Sequence, residues 1–246
     1  RGIRNVWPSS HYGLLSLFFF AGLELSLALQ RWIFLVISIL LAIIVIGIIL
    51  VRAEEGSRFH PTQVILPALA AFSLTAFTLF LPTTLLLHSY IVGASLFFFF
   101  LLKHAAKQAY PTWNWVVTLL VLFAGTASLL GWRFHIYAPP AVVIGILYFF
   151  ITLLSLQSLL RFTESISESW LISLVVGLVL IEVAWVLQFL SVHFLVQAGI
   201  VTALYYSLFQ LTTLSYEREI YRTDIVEYIS IGLGTCVILL LTAQWF

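Results

Sequence analysis

The sequence predicts an all-α fold: a polytopic transmembrane helix bundle of about nine spans in antiparallel hairpins, N-terminus inside and C-terminus outside. Three observations predict it: apolar runs long enough to cross a bilayer, a composition too apolar for water, and a one-sided distribution of Lys and Arg. Of the 246 residues, 62% are hydrophobic and 9% are charged, and the mean hydropathy is +1.12. Soluble domains carry about 25% charged residues. A folded chain of this size still exposes a large part of its surface, so lipid must cover the outside.

A hydrocarbon core of about 30 Å takes about 20 apolar residues as helix. Such stretches lie near 12–29, 32–51, 63–81, 83–102, 114–132, 138–160, 169–190, 193–213 and 225–245. Gln30-Arg31 and Pro82 separate two pairs of runs that would otherwise be about twice the length of one crossing. Proline removes a backbone donor and clashes with the preceding turn, so a tight hairpin is expected at residue 82. The whole chain, 1–246, reads as a single integral membrane domain.

The charges test this arrangement independently. With the N-terminus inside, the inner loops collect nine Lys and Arg residues, among them Arg1, Arg52, Lys103, Arg161 and Arg218, and the outer loops only Arg31 and Arg133. This is the positive-inside bias, and merging either hairpin into one helix would reverse every later loop. Trp7, Trp113, Trp115 and Trp170 fall near inner ends, and Trp32, Trp132 and Trp245 near outer ends, as interfacial belts require. The outer links are short enough to join neighbouring antiparallel helices. Arg1 and Arg4 before an apolar run loosely resemble a signal peptide, but Glu24 and the immediate start of another helix argue against cleavage. The chain begins with Arg1 and holds no methionine, the pattern of a fragment.

Several classes are excluded. Net charge is +1 and the basic residues are scattered, which leaves no basic patch for nucleic acid. Cys236 is the one cysteine, so no disulfide closes within the chain. Asp224 is the one aspartate, which argues against magnesium-assisted diphosphate chemistry. Glu54-Glu55-Gly56-Ser57-Arg58 is one residue short of the EExxxR signature of intramembrane CAAX-type proteases and lies in a loop. No cofactor and no metal site is expected.

Ionisable groups inside a bilayer are costly and mark function by default. Glu24, His88 and Glu182 are the candidate polar intramembrane site. At 1.5 Å per residue, Glu24 and His88 lie about 7 Å, and Glu182 about 12 Å, from the outer ends of their spans. Gln188, His193, Arg31, Arg133 and His135 gather at or beyond that same end. One reading joins the three side chains in an outer polar cavity; the other keeps each in its own interhelical hydrogen bond. Stripes such as Gly199, Ala203, Tyr206, Gln210 and Thr213, or Thr118, Gly125, Ser128 and Trp132, read as packing faces where helices approach closely. The phenylalanine runs 18–20 and 97–100 face lipid or fill gaps. Pro67 is expected to bend its helix.

The favoured function is a small transporter or lipid-handling carrier with a polar site in the outer half of the membrane. The alternatives are a non-catalytic scaffold subunit and an enzyme acting on a lipid-linked substrate. The expected partners are membrane lipids, with a protein partner at the inner stretch from Ser215 to Tyr228. The expected location is the cell membrane, a bacterial plasma membrane in particular.

Overall fold

A computed structural model describes residues 8–28, 62–81, 84–107, 111–135, 137–160, 162, 165–217 and 221–243. They form eight helices: α1 (Pro8–Ala28), α2 (Thr62–Phe77), α3 (Thr84–Lys107), α4 (Pro111–His135), α5 (Pro140–Leu159), α6 (Ile166–Leu187), α7 (Phe194–Glu217) and α8 (Arg222–Thr242). The expected span at 32–51 and the acidic run at 54–58 lie outside the described residues, as does Pro82. The other eight expected spans each coincide with a helix. Six of these, α3 to α8, are long and apolar enough to cross a membrane; the described apolar stretches of α1 and α2 are shorter, Tyr12–Leu25 and Val64–Phe80.

Several helices begin about three residues before their expected start, for a common reason. Apolarity marks only the part of a helix that sits in oil, while its first turn is polar and capped. Pro111 opens α4, where a missing N–H costs nothing, whereas α5 opens at Pro140, two residues after its expected start. Ser165 caps α6 by accepting from the Glu168 N–H at 3.4 Å. Asp224 reaches back to accept from the Tyr221 N–H at 3.1 Å and ties the start of α8. Between α4 and α5, Tyr137 adopts the left-handed region (φ 52°), and the Ala138 N–H returns to the Trp132 carbonyl at 3.5 Å. A left-handed residue just past the last turn is a common way for a helix to stop.

The helices pack as two compact units, Arg1–Val117 and Thr118–Phe246. In the first, α1 and α2 both pack on α3. Ser16 donates to the Ser95 carbonyl at 2.7 Å, and Tyr90 to the Leu74 carbonyl at 2.9 Å. Phe19 and Phe98 meet in the core with ring centroids 4.5 Å apart. Their neighbours Phe18 and Phe100 are exposed, so each phenylalanine run splits between a gap-filling ring and outward-facing ones. Phe19→Ala should therefore cost about 3 kcal/mol, the low end for a large-to-small core change because helices in lipid gain little from solvent exclusion. Phe18→Ala should be silent; thermal unfolding in detergent separates the two. Helix α2 runs through Pro67 without a break. Its hydroxyls serve the turns that follow: Ser73 donates to Leu69 and Thr75 to Ala71.

In the second unit, α5 packs on α6, α6 on α7, and α7 on α8. Small residues set these approaches. Gly177 of α6 lies directly against Thr152 and the Tyr148 ring of α5, and Gly232 of α8 against Ser207 of α7. Ser207 also donates to the Tyr228 carbonyl at 2.8 Å. The stripe read from Gly199, Ala203 and Tyr206 is a packing face: Gly199 meets Leu239, the Ala203 carbonyl faces Gly232, and the Tyr206 ring meets Tyr228. The α4 stripe of Thr118, Gly125, Ser128 and Trp132 is buried throughout.

Candidate functional site

The first unit brings two of the three sequence-predicted residues together. Glu24 lies four residues before the end of α1, and His88 four residues after the start of α3. The Glu24 carboxylate and His88 Nδ1 stand 3.2 Å apart, with side chains 37% and 52% exposed. The antiparallel pairing of α1 and α3 produces this contact, since Ser16 and Ser95 meet farther down the same pair. Glu182 belongs to the second unit. It lies on an exposed face of α6 among Leu178, Val179, Trp185 and Val186, all exposed apolar side chains.

A second constellation has a more enclosed geometry. Arg133 sits in the last turn of α4, and Gln188 caps the C-terminus of α6. Arg133 Nη1 donates to the Gln188 backbone carbonyl at 3.0 Å and to its side-chain Oε1 at 2.9 Å. A basic side chain is favourable there, because the last carbonyls of a helix have no intrahelical donor. The contact also orients the carboxamide. With Oε1 turned to the guanidinium, Nε2 must point the other way. Gln188 is 8% exposed, and its Nε2 is buried with no hydrogen-bond partner among the described residues.

These two side chains open onto a cavity of about 490 Å³ whose walls include His135, Phe189, His193 and Phe194. That volume lies within the roughly 300–1,000 Å³ usual for small-molecule sites. His193 Nδ1 accepts from the Leu195 N–H at 3.3 Å, which leaves Nε2 as the ring's N–H donor. His135 Nδ1 donates to the Gly131 carbonyl at 3.2 Å. The two imidazoles flank the Phe194 ring, with centroids 5.9 Å and 4.3 Å from it. Among the described residues the cavity wall contains no acidic side chain. Its polar side chains are the Arg133 guanidinium, the Gln188 carboxamide, two imidazoles and the Ser191 hydroxyl, with the one permanent charge positive.

In the sequence Arg133, His135, Gln188 and His193 fall at one end of the bundle, with no motif that joins them into a site. The available signal was their position, two residues closing α4 and two in the link between α6 and α7. The stretch from Ser215 to Tyr228 has structural uses: the Tyr216 hydroxyl donates to Glu168 at 3.1 Å, and Asp224 holds the Tyr221 N–H. Among the described residues no three His, Cys, Asp or Glu side chains are grouped as metal ligands would be.

Long apolar helices, antiparallel packing and polar groups confined to a few interfaces define a helical integral membrane protein. Residues 16–242 match the family model described as Protein of unknown function (DUF5656), and the chain belongs to that family. No curated protein and no solved structure matches it.

Proposed function

We propose that this protein is a lipid-handling carrier that takes an anionic amphiphile by its headgroup in the Arg133–Gln188 pocket. The Arg133 guanidinium beside a cavity of about 490 Å³, with the orphaned Gln188 Nε2 buried next to it, carries this reading. A buried donor without an acceptor costs about 1–3 kcal/mol, which an acceptor-bearing ligand would recover. Anionic oxygens, as in a phosphate or carboxylate, match such a set of donors better than a neutral or cationic group does. The aromatic walls suit the first carbons of an acyl chain. In the expected topology this end of the bundle is the outer face, and the membrane is the plasma membrane.

Glu24, His88 and Glu182 remain part of the proposal as a second polar element in the same half of the bilayer. The Glu24–His88 contact supports that part; Glu182 enters it only as a carboxylate on an apolar face. A protein partner at the Ser215 to Tyr228 stretch is a separate proposal, tested by cross-linking in membranes.

Gln188→Glu is the sharpest test of the pocket. It keeps a partner for Arg133, removes the Nε2 donor and adds a negative charge of nearly the same shape. Native mass spectrometry of the delipidated protein with phosphatidylglycerol or phosphatidylcholine reads the result. The wild-type chain should retain phosphatidylglycerol in preference to phosphatidylcholine, and Q188E should lose about tenfold or more in affinity for it, equivalent to ~1.4 kcal/mol. Equal retention by a folded Q188E would overturn the reading.

A further inference from the structure

A hydroxyl on a membrane helix has a local means of satisfaction: it donates to the carbonyl one turn back. The described helices use it widely. Ser73, Ser95, Ser128, Ser173, Thr202 and Thr213 each donate to the carbonyl four residues earlier, at 2.6–2.9 Å.

Helix α5 departs from this pattern. Thr152, Ser155 and Ser158 follow a three-residue spacing and are 2%, 0% and 4% exposed. Among the described residues the Thr152 and Ser155 hydroxyls have no hydrogen-bond partner, and Ser158 reaches the Gln157 carboxamide oxygen at 3.4 Å. Gln157 Nε2 is likewise buried without an acceptor among the described residues. Tyr205 of α7, fully buried, brings its hydroxyl beside Ser155 and Ser158 without closing a bond of ordinary geometry. Its ring is stacked on Phe209, centroids 5.5 Å apart at 17°, which holds the hydroxyl in place. Leaving these groups dry in a low-dielectric interior would forfeit a sizeable share of a protein's whole stability.

We infer that Thr152, Ser155, Gln157, Ser158 and Tyr205 line an internal water-binding site, distinct from the Arg133–Gln188 pocket. The ligand follows from the donor and acceptor set. Each hydroxyl both gives and accepts a hydrogen bond, Gln157 offers an N–H, and none of the five side chains is charged. That set suits a small neutral molecule making about three hydrogen bonds, as buried water does, rather than a metal ion or an anion. Ser155 and Ser158 lie about 6 Å and 1.5 Å from the C-terminal end of α5, so water has a short path from the aqueous face at that end. The Arg133–Gln188 pocket opens at the other end of α6, so the second unit carries a polar site toward each face.

Hydroxyl-radical footprinting by brief X-ray exposure tests the inference on the intact chain in detergent. Radicals formed from bound water label adjacent side chains even where bulk solvent is excluded. Tyr205 and Phe209 should be labelled although both are fully buried, whereas Phe19 and Phe98, equally buried in an apolar core, should not. In Ser155→Ala/Ser158→Ala, labelling of Tyr205 should fall to the level of Phe19, and the melting temperature should drop, since Tyr205 and Gln157 lose the water that satisfied them. A folded wild-type chain whose Tyr205 is as silent as Phe19 would overturn the inference. So would Tyr205 labelling that the double substitution leaves unchanged. Should the double variant not fold, Thr152→Val, which keeps the side-chain shape, is read by the same criteria.

Discussion

Gly177→Leu should leave almost no monodisperse protein after extraction into detergent. A Cβ at this position would already overlap the Thr152 side chain and stand 3.2 Å from the Tyr148 ring, so a leucine has nowhere to go. The helices α5 and α6 must then separate. Overpacking of a filled core costs about 1–3 kcal/mol, and more where backbone must move. In lipid the penalty falls on the term that matters most, because close van der Waals contact is a principal force joining membrane helices. Size-exclusion chromatography and thermal unfolding are the measurements. Gly145→Leu on α5 is the control: a Cβ there meets nothing within 4 Å, and the variant should behave as wild type.

The same collision can be relieved from the other side. Gly177→Ala should destabilise moderately, and adding Thr152→Ala should restore much of the loss, since the overlapping hydroxyl is gone. Residues in contact show couplings of about 0.5–3 kcal/mol in such cycles. A strictly additive result would mean that α5 and α6 do not meet at this point.

Which of these features could be read from the chain depends on the physics behind each. Helix positions among the described residues were legible because oil forces every backbone amide into an internal hydrogen bond, so apolar length alone marks a helix. Helix starts at Ser165, Pro111 and Tyr221 were placed late because capping turns are polar and escape an apolarity count. Glu24 and His88 were legible as a pair in depth, and antiparallel contact between α1 and α3 brought them within 3.2 Å. Glu182 carried the same signal, yet it stands on an exposed apolar face. Depth is one coordinate along the membrane normal and leaves the other two open. Gly177 was legible in principle, since Ser169, Ser173 and Gly177 repeat every four residues on α6 and mark a close-approach face. The hydroxyls of α5 were not, because a sequence does not reveal whether a serine bonds its own helix or turns away from it. Nor was the orientation of Gln188, which depends on Arg133 arriving from another helix.

Arg133→Ala should combine a loss of stability with a loss of binding, and its companions should separate the two. Removing the guanidinium strands two Gln188 acceptors, the backbone carbonyl that ends α6 and the buried Oε1. Stranded acceptors of this kind cost about 1–3 kcal/mol each, so a drop of roughly 2 kcal/mol or more is expected. Arg133→Lys keeps the charge but replaces a planar fork by a point donor, so it should recover part of the stability and part of the affinity for phosphatidylglycerol. Gln188→Glu gives Arg133 an ionic partner and should hold stability near the wild-type value while repelling an anion. In stability the order should be wild type and Q188E together, then R133K, then R133A. In phosphatidylglycerol binding it should be wild type, then R133K, with R133A and Q188E both last. Only a site whose structural and ligand-binding roles reside in the same two side chains makes Q188E change places between the two rankings. If both rankings followed one order, Arg133 would be a helix cap and nothing more.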